Sequence, residues 1–243
     1  MFDDKNYWIE RHKKDKENIS SVGSRKYSDK ANYYIYKILK ERYKIVLDML
    51  ELPNEKNALD AGSGIGIFSE FLHEYGFNVT AVDISQIGLD RISNSGIKKI
   101  CSTISNIDVE DKSFDLVHSF DVLYHILDDT EWERSLINIC RLSKKYIVLH
   151  ERFFKTGQII SSAHLKARTY TQTTKIINDN GFYEVLSVPT HMIALRLITF
   201  RISQYFPKLF YEIDKLLLDR LEKHKIRKFG SHFIKVFERK DIP

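Results

Sequence analysis

Two carboxylates bracket a run of glycines early in the chain. Residues 58–85 read ALDAGSGIGIFSEFLHEYGFNVTAVDIS, with Asp60 ahead of Gly62, Gly64 and Gly66, and Asp83 near the end. Alternating glycines permit a tight turn and a close backbone approach to a ligand. A dinucleotide fingerprint reads G-x-G-x-x-G, and its pyrophosphate sits on the following helix N-terminus. Here Ile67 stands where the third glycine of that pattern belongs. A carboxylate at Asp60 is a poor neighbour for a pyrophosphate and a good one for an ammonium group. Asp83 can accept hydrogen bonds from two ribose hydroxyls. Together these residues describe a site for a cationic amino acid joined to adenosine. The plainer alternative is a strand-to-helix turn that holds nothing.

A second set of residues could move a proton. His125 follows FDVLY, and its ordinary pKa of ~6.5 suits a general base; a loop-ordering histidine is the alternative. His150 and Glu151, with Arg152 behind them, could bind a hydroxyl or an anionic group, or form a salt-linked loop. Asp121 is near enough in sequence to orient a base, and is otherwise a surface turn acid. Asp121, His150 and Glu151 lack paired ligand spacing, so no metal is expected. Cys101 and Cys140 are the two cysteines and have no C-x-x-C spacing. That argues against a disulfide framework and a cysteine zinc site, and suits a reducing cytoplasm.

The elements that must carry these residues alternate. Helical periodicity runs from Tyr33 to Leu50 and closes at Pro53 and Asn54. NALD (57–60) predicts a strand, 67–75 a helix capped by Gly76, NVTAVD (78–83) a strand, and 86–94 a helix with Gly96 beyond it. KKICSTI (98–104), FDLVHS (114–119), KYIVLH (145–150), FYEVLSV (182–188) and HFIKVFER (232–239) predict the remaining strands. Thr130 and Glu133 form a capping-box pattern opening a helix to Leu142, and 171–180 predicts another stopped by Gly181. Beyond Pro189 two amphipathic helices are expected, over 191–205 and 208–226. Alternating apolar strands and helices predict an α/β fold with a seven-stranded, mostly parallel sheet covered on both faces. Ligands in such sheets lie beyond the strands' carboxyl ends, where every residue named above falls.

At this point the chain resembles the class I S-adenosylmethionine-dependent methyltransferases, which have a Rossmann-like core. The likeness covers about Asn57 to Val188 and resumes over His232 to Arg239. It is carried by LDAGSGIG, by AVDIS and by SFDLVHSFDVLYHI (113–126). The resemblance implies S-adenosylmethionine as cofactor. Asp60 and the backbone of Ala61, Gly62, Ser63 and Gly64 would hold its methionine part and Asp83 its ribose. Ile84 would flank the adenine, and Phe120 would help close the site. Many relatives carry an aspartate after the third strand that bonds the adenine amine; Thr103 stands there and can still accept a hydrogen bond.

Composition bounds the rest. Hydrophobic residues at 43% suffice for a core, and charged residues at 29% with no long apolar run argue against a transmembrane segment. MFDDKNYWIERHKKDK has no apolar stretch of the kind a secretory leader needs. Residues 1–50 carry 12 basic and 8 acidic side chains, 51–185 carry 14 and 19, and 186–243 carry 12 and 6. An acidic middle disfavours a DNA-coating protein. Basic ends suit a small anionic substrate, or simply solubility.

Residues 1–52 are expected to form a helical lid. In it Tyr7, Trp8 and Arg11 share a helical face, with Tyr33, Tyr34 and Tyr36 as further aromatics, unless these rings only pack on the domain. Residues 53–243 would form the core, with an insertion at about 190–229 as a substrate cap, a dimer contact or a patch on an acidic membrane. Its apolar face would be Ile193, Leu197, Phe200, Phe210, Ile213, Leu217 and Leu221, set among basic residues such as Arg196, Arg227 and Lys228. YWIERHKK…SSVG is similar to methyltransferases of surface-polysaccharide pathways. The expectation is a cytoplasmic enzyme methylating a small anionic metabolite such as a sugar or nucleotide sugar, on oxygen before nitrogen, and able to form a homodimer. The rivals are methylation of RNA or protein, and a partner protein that binds cofactor without turnover.

Overall fold

Strands whose residues are buried on both faces build the centre of this protein. The computed structural model of the 243-residue chain describes residues 3–14, 19–151, 161–194, 200–226, 229–230 and 232–240. In chain order the elements are α1 (Asp4–Lys14), α2 (Asp29–Met49), β1 (Asn57–Ala61), α3 (Ile67–Glu74), β2 (Asn78–Asp83) and α4 (Gln86–Leu89). Then come β3 (Lys98–Cys101), β4 (Phe114–Phe120), α5 (Asp129–Leu142), β5 (Ser143–His150), β6 (Ser161–Ser162), β7 (Leu165–Lys166) and α6 (Tyr170–Asp179). The last are β8 (Phe182–His191), α7 (Phe200–Ser203), α8 (Pro207–Lys223) and β9 (His232–Arg239).

The seven-stranded sheet runs β3-β2-β1-β4-β5-β9-β8, and β6 with β7 forms a small antiparallel hairpin. β1 pairs in parallel with β2 and β4, β2 with β3, and β4 with β5. The sheet is thus mostly parallel, as the alternating pattern predicts. The chain order reverses between β1 and β4, which is the switch point of a doubly wound sheet. In register, Ala61 faces Val82, Asp83 faces Cys101 and Phe120 faces His150. These pairings gather the carboxyl ends of β1, β2, β4 and β5 along one edge.

The chain divides into two units. The first comprises residues 1–13, 52–185 and 236–243. Its core packs Leu59, Val82, Val117, Ile147 and Leu149 of the sheet against Trp132, Leu136 and Ile139 of α5 and Ile177 of α6. The second comprises residues 14–51 and 186–235. There α2 lies on α8, with Ile38, Tyr211 and Leu218 in its core. The buried Arg42 donates to Pro189 O at 3.1 Å and to Glu222 Oε2 at 3.1 Å, and Tyr211 donates to Glu41 at 2.6 Å.

Four expectations need correction. The helix after β2 is a single turn ending at Leu89, because Ser93 and Asn94 divert to local contacts: Ser93 donates to Glu70, and Asn94 Oδ1 accepts from Gly96 N. α5 is capped by Asp128, which accepts from Glu131 N at 2.8 Å, rather than by Thr130. β8 runs through Pro189 to His191; it is last in the strand order, and an edge strand tolerates a missing N–H. α8 buries Tyr211, Asp214 and Leu218, one residue on from the expected row, while Phe210, Ile213, Leu217 and Leu221 are half-buried. Arg152, Arg196, Leu197, Arg227, Lys228 and the Phe200 side chain lie outside the described residues.

Candidate functional site

The glycine turn is built by the groups on either side of it. Gly62 has φ 88°, and a Cβ there would fall 2.5 Å from both Val122 methyls, so the turn seats directly on the segment after β4. The N–H groups of Gly62 and Ser63 donate to Val82 O at 2.8 and 2.9 Å. Gly64 N donates to Asp83 Oδ2 at 2.8 Å, and Ser85 N to Asp83 Oδ1 at 2.9 Å. Asp83 therefore ties the turn to the end of β2. Burial pushes its carboxyl up to about 6 despite these N–H donors, with the nearby Asp60 charge adding to the rise. The Ser63 hydroxyl of the turn is buried and has no hydrogen-bond partner among the described residues.

Asp60 is turned inward. Ser69 of α3 donates to its Oδ2 at 2.5 Å, and His118 Nε2 of β4 lies 3.0 Å from its Oδ1. Neither Ser69 nor His118 is singled out by the sequence; a serine and a histidine inside apolar runs are the only signal. Ala61 is buried at the end of β1, and Ile84 is half-buried beside the Asp83 carboxylate's ligand Ser85. Phe120 packs its buried ring 4.8 Å from Phe68, 4.9 Å from His118 and 5.7 Å from His150. Thr103 follows the end of β3, two residues beyond Cys101, the register partner of Asp83. Its hydroxyl pairs with Ser105 at 3.0 Å, which donates on to Glu131 at 2.8 Å.

At the ends of β4 and β5 the structure joins residues that lie far apart in sequence. His150 Nδ1 lies 3.1 Å from Asp121 Oδ2, Tyr124 donates to Asp121 Oδ1 at 3.2 Å, and Asp121 N donates to His150 O at 2.7 Å. Asp121 is thus no plain turn acid. It adopts φ 58°, in the left-handed region that aspartate tolerates better than most residues, and its carboxylate faces the His150 ring. Glu151, expected to bind a hydroxyl or an anionic group or to form a salt-linked loop, is instead engaged by backbone N–H groups. Its Oε1 accepts from Val122 N and Leu123 N, both at 3.0 Å, while Oε2 is buried without a hydrogen-bond partner among the described residues. Burial, and then the Asp121 charge, raise its pKa to about 8, so it stays mostly protonated at pH 7. It thereby holds the first turn of the segment between β4 and α5.

His125 occupies a nest of rings. Its Nδ1 lies 2.8 Å from His164 O, and its ring is 4.7 Å from Trp8, 4.4 Å from Tyr124 and 5.9 Å from His164. A carbonyl only accepts, so Nδ1 carries the proton in this contact. Tyr7 stacks on His164 at 5.1 Å, and the Arg11 guanidinium lies 4.8 Å from the Trp8 ring centre. Tyr7, Trp8 and Arg11 do share a face of α1, and that face meets the loop after β4. Arg168, buried, anchors the same loop by donating to Ile126 O at 2.5 Å, to Leu127 O at 3.3 Å and to Asp129 at 2.7 Å. Sequence reading missed Arg168, which lies 39 positions from Asp129. Among the described residues no group of three His, Cys, Asp or Glu is placed to hold a metal ion.

Comparison with known proteins fits this geometry. The ubiquinone biosynthesis O-methyltransferase of Rickettsia bellii is 27% identical over 169 residues, covering 64% of this chain and 66% of that protein. The chain thus spans about two thirds of the length of the curated relatives it matches. Among solved structures, a magnesium protoporphyrin IX methyltransferase from Synechocystis PCC 6803 with bound S-adenosylmethionine superposes with a TM-score of 0.63 at 16% identity, covering 99% of each chain. A Leishmania major S-adenosylmethionine-dependent methyltransferase gives 0.67 at 13% identity, covering 98% of this chain and 83% of its own. At these identities the two structures share the fold. The family described as methyltransferase domain matches residues 32–179, more than half of the chain and the part that contains the glycine turn, Asp83 and the β4–β5 strand ends; the chain belongs to that family.

Proposed function

We propose that this protein is an S-adenosylmethionine-dependent methyltransferase acting on a hydroxyl of a small molecule. The observation that carries the reading is the turn Gly62–Ser63–Gly64 clasped to Asp83 at the switch point, with the buried Ser63 hydroxyl lacking a partner among the described residues. A glycine-lined surface with an orphaned donor and a ribose-capable carboxylate beside it fits an adenosyl amino acid. Bound there, S-adenosylmethionine supplies a methyl group already activated for transfer.

The protein's own part is to bind, to exclude water and to take a proton. Ala61 to Gly64 would meet the methionine part, Asp83 the ribose, and Ile84 with Thr103 the adenine side. Phe120 and the Trp8 face of α1 keep water from the strand ends, and α1 acts as the lid. Two side chains would act as proton acceptors. His125 is oriented by the bond of its Nδ1–H to His164 O. His150 is oriented by Asp121, whose carboxylate would steady the imidazolium formed when a hydroxyl gives up its proton. Glu151 serves them by fixing residues 122–123.

Oxygen as acceptor is supported by the name of the curated relatives. The anionic, sugar-linked acceptor of surface-polysaccharide synthesis rests on the basic flanks and the N-terminal pattern alone. The substrate-selecting role of 190–229, a homodimer and a cytoplasmic place belong to the proposal in the same way. No helix among the described residues is long and apolar enough to cross a membrane.

The test is formation of S-adenosylhomocysteine with panels of phenols and nucleotide sugars. Turnover with a hydroxyl acceptor is expected, slowed ~10²-fold or more by His125→Ala or His150→Ala, whichever is the base, with cofactor affinity kept. Turnover with neither panel but with bulk tRNA would overturn the small-molecule reading.

A further inference from the structure

His12 is a buried polar side chain that the account so far leaves unexplained. The residue is 2% exposed, and both ring nitrogens are buried without a hydrogen-bond partner among the described residues. A neutral imidazole has one N–H donor and one lone pair. Leaving such a group unpaired in the interior costs about 1–3 kcal/mol. Burial, reinforced by the charges of Arg91 and Arg11, depresses the His12 pKa to about 4, so the ring cannot escape this cost by ionising and pairing as a cation.

Its place in the fold shows what it faces. Trp8 and His12 are four apart on α1 and so share a face, with ring centres 6.1 Å apart. Trp8 contacts His125 beyond β4. His12 reaches the other side of the switch point. A Cβ built on Gly88 would lie 2.8 Å from His12 Nδ1 and 2.7 Å from Gly64 O, so Gly88 is bare at the spot where the imidazole meets the glycine turn. Gly64 is the residue whose N–H holds the Asp83 carboxylate. The Ser63 hydroxyl, also buried and unpartnered, belongs to the same turn. Two buried side chains without hydrogen-bond partners among the described residues therefore lie in or beside the glycine turn, and one of them comes from α1.

The geometry points to His12 as a direct contact to the nucleoside half of the cofactor, by which α1 senses whether the turn is filled. The ring's donor and lone pair match a ribose hydroxyl, which both donates and accepts. The nucleoside half is favoured because His12 Nδ1 lies against Gly88, whose N–H donates to Ser85 Oγ, and Ser85 N in turn donates to Asp83. Binding then satisfies the imidazole and draws α1 down at the glycine turn, while Trp8 holds it at the His125 loop. This inference rests on the adenosyl reading of the site.

The experiment compares wild type, His12→Leu and His12→Asn by calorimetry with S-adenosylhomocysteine and with methylthioadenosine, which lacks the amino-acid half. Thermal unfolding without ligand is measured alongside. Leucine fills a similar volume with no polar atom, so the ligand-free Tm should hold or rise, while affinity for both ligands falls about tenfold or more by the same factor. Asparagine keeps an amide donor near Nδ1 and should recover part of the loss. Unchanged affinity in His12→Leu, or a lower ligand-free Tm with unchanged affinity in His12→Asn, would overturn the inference and reduce His12 to packing. A loss confined to S-adenosylhomocysteine would overturn the nucleoside assignment. Wild type that binds neither ligand would instead contradict the adenosyl reading.

Discussion

Asp83 does two jobs that pull against each other. It holds the Gly64 and Ser85 amides, which favour its ionised form, yet it is buried, and its pKa stands near 6. A carboxylate whose folded pKa is raised binds a proton in the native state at pH values where the unfolded chain has released it. Between about 4 and 6 the fold therefore loses stability as pH rises. Ribose hydroxyls, in contrast, need the ionised form as acceptor. Affinity for S-adenosylhomocysteine should be flat above pH 7 and about tenfold weaker at pH 5, since the ligand's own groups do not titrate in that window. Calorimetry across pH 5–8 measures this, and Asp83→Asn should be weaker throughout and lose the slope. A wild-type affinity level down to pH 5 would mean that Asp83 does not act as an ionised acceptor. At this scale the sequence reveals the acid but not its environment. The glycine spacing and the strand end identify Asp83, while its burial, the inward turn of Asp60 and the pairing of Asp121 with His150 arise only when β1, β2, β4 and β5 are laid side by side.

The loop between β4 and α5 depends on braces supplied by other elements. Glu151 holds its first turn, and Arg168 holds Ile126, Leu127 and Asp129 at its end. Arg168→Ala should leave the Ile126 and Leu127 carbonyls unsatisfied and lower stability by about 2–3 kcal/mol in denaturant titrations. It should also slow turnover more than it weakens cofactor binding, because the loop carries His125 and not the glycine turn. An Arg168→Ala protein with normal stability and rate would show that the loop is fixed by its own sequence. Elements that bury continuous apolar runs were the legible ones. β2 and β9 begin and end where NVTAVD and HFIKVFER do, because acids, glycines or polar residues flank them closely. Cap signals were harder to read where they overlap. Asp128 precedes α5 and is its cap, while Thr130 already lies in the first turn; the full capping box is at Thr169 and Gln172 of α6, a threonine three residues before a glutamine.

For the whole molecule the consequence is an edge where four strand ends, one helix and one loop converge. The glycine turn and Asp83 lie on one side of the switch point and the histidines of β4 and β5 on the other, with α1 touching both through His12 and Trp8. The same arrangement explains why a carboxylate-flanked turn with Ile67 in place of a third glycine suits an adenosyl amino acid better than a dinucleotide. Isothermal titration of the intact chain with S-adenosylmethionine, S-adenosylhomocysteine and NAD+ tests that claim most directly. One-site binding of both adenosyl ligands, lost in Asp83→Ala, with no heat from NAD+, is the expected result. Binding of NAD+ in their place, or no binding of either adenosyl ligand, would contradict it.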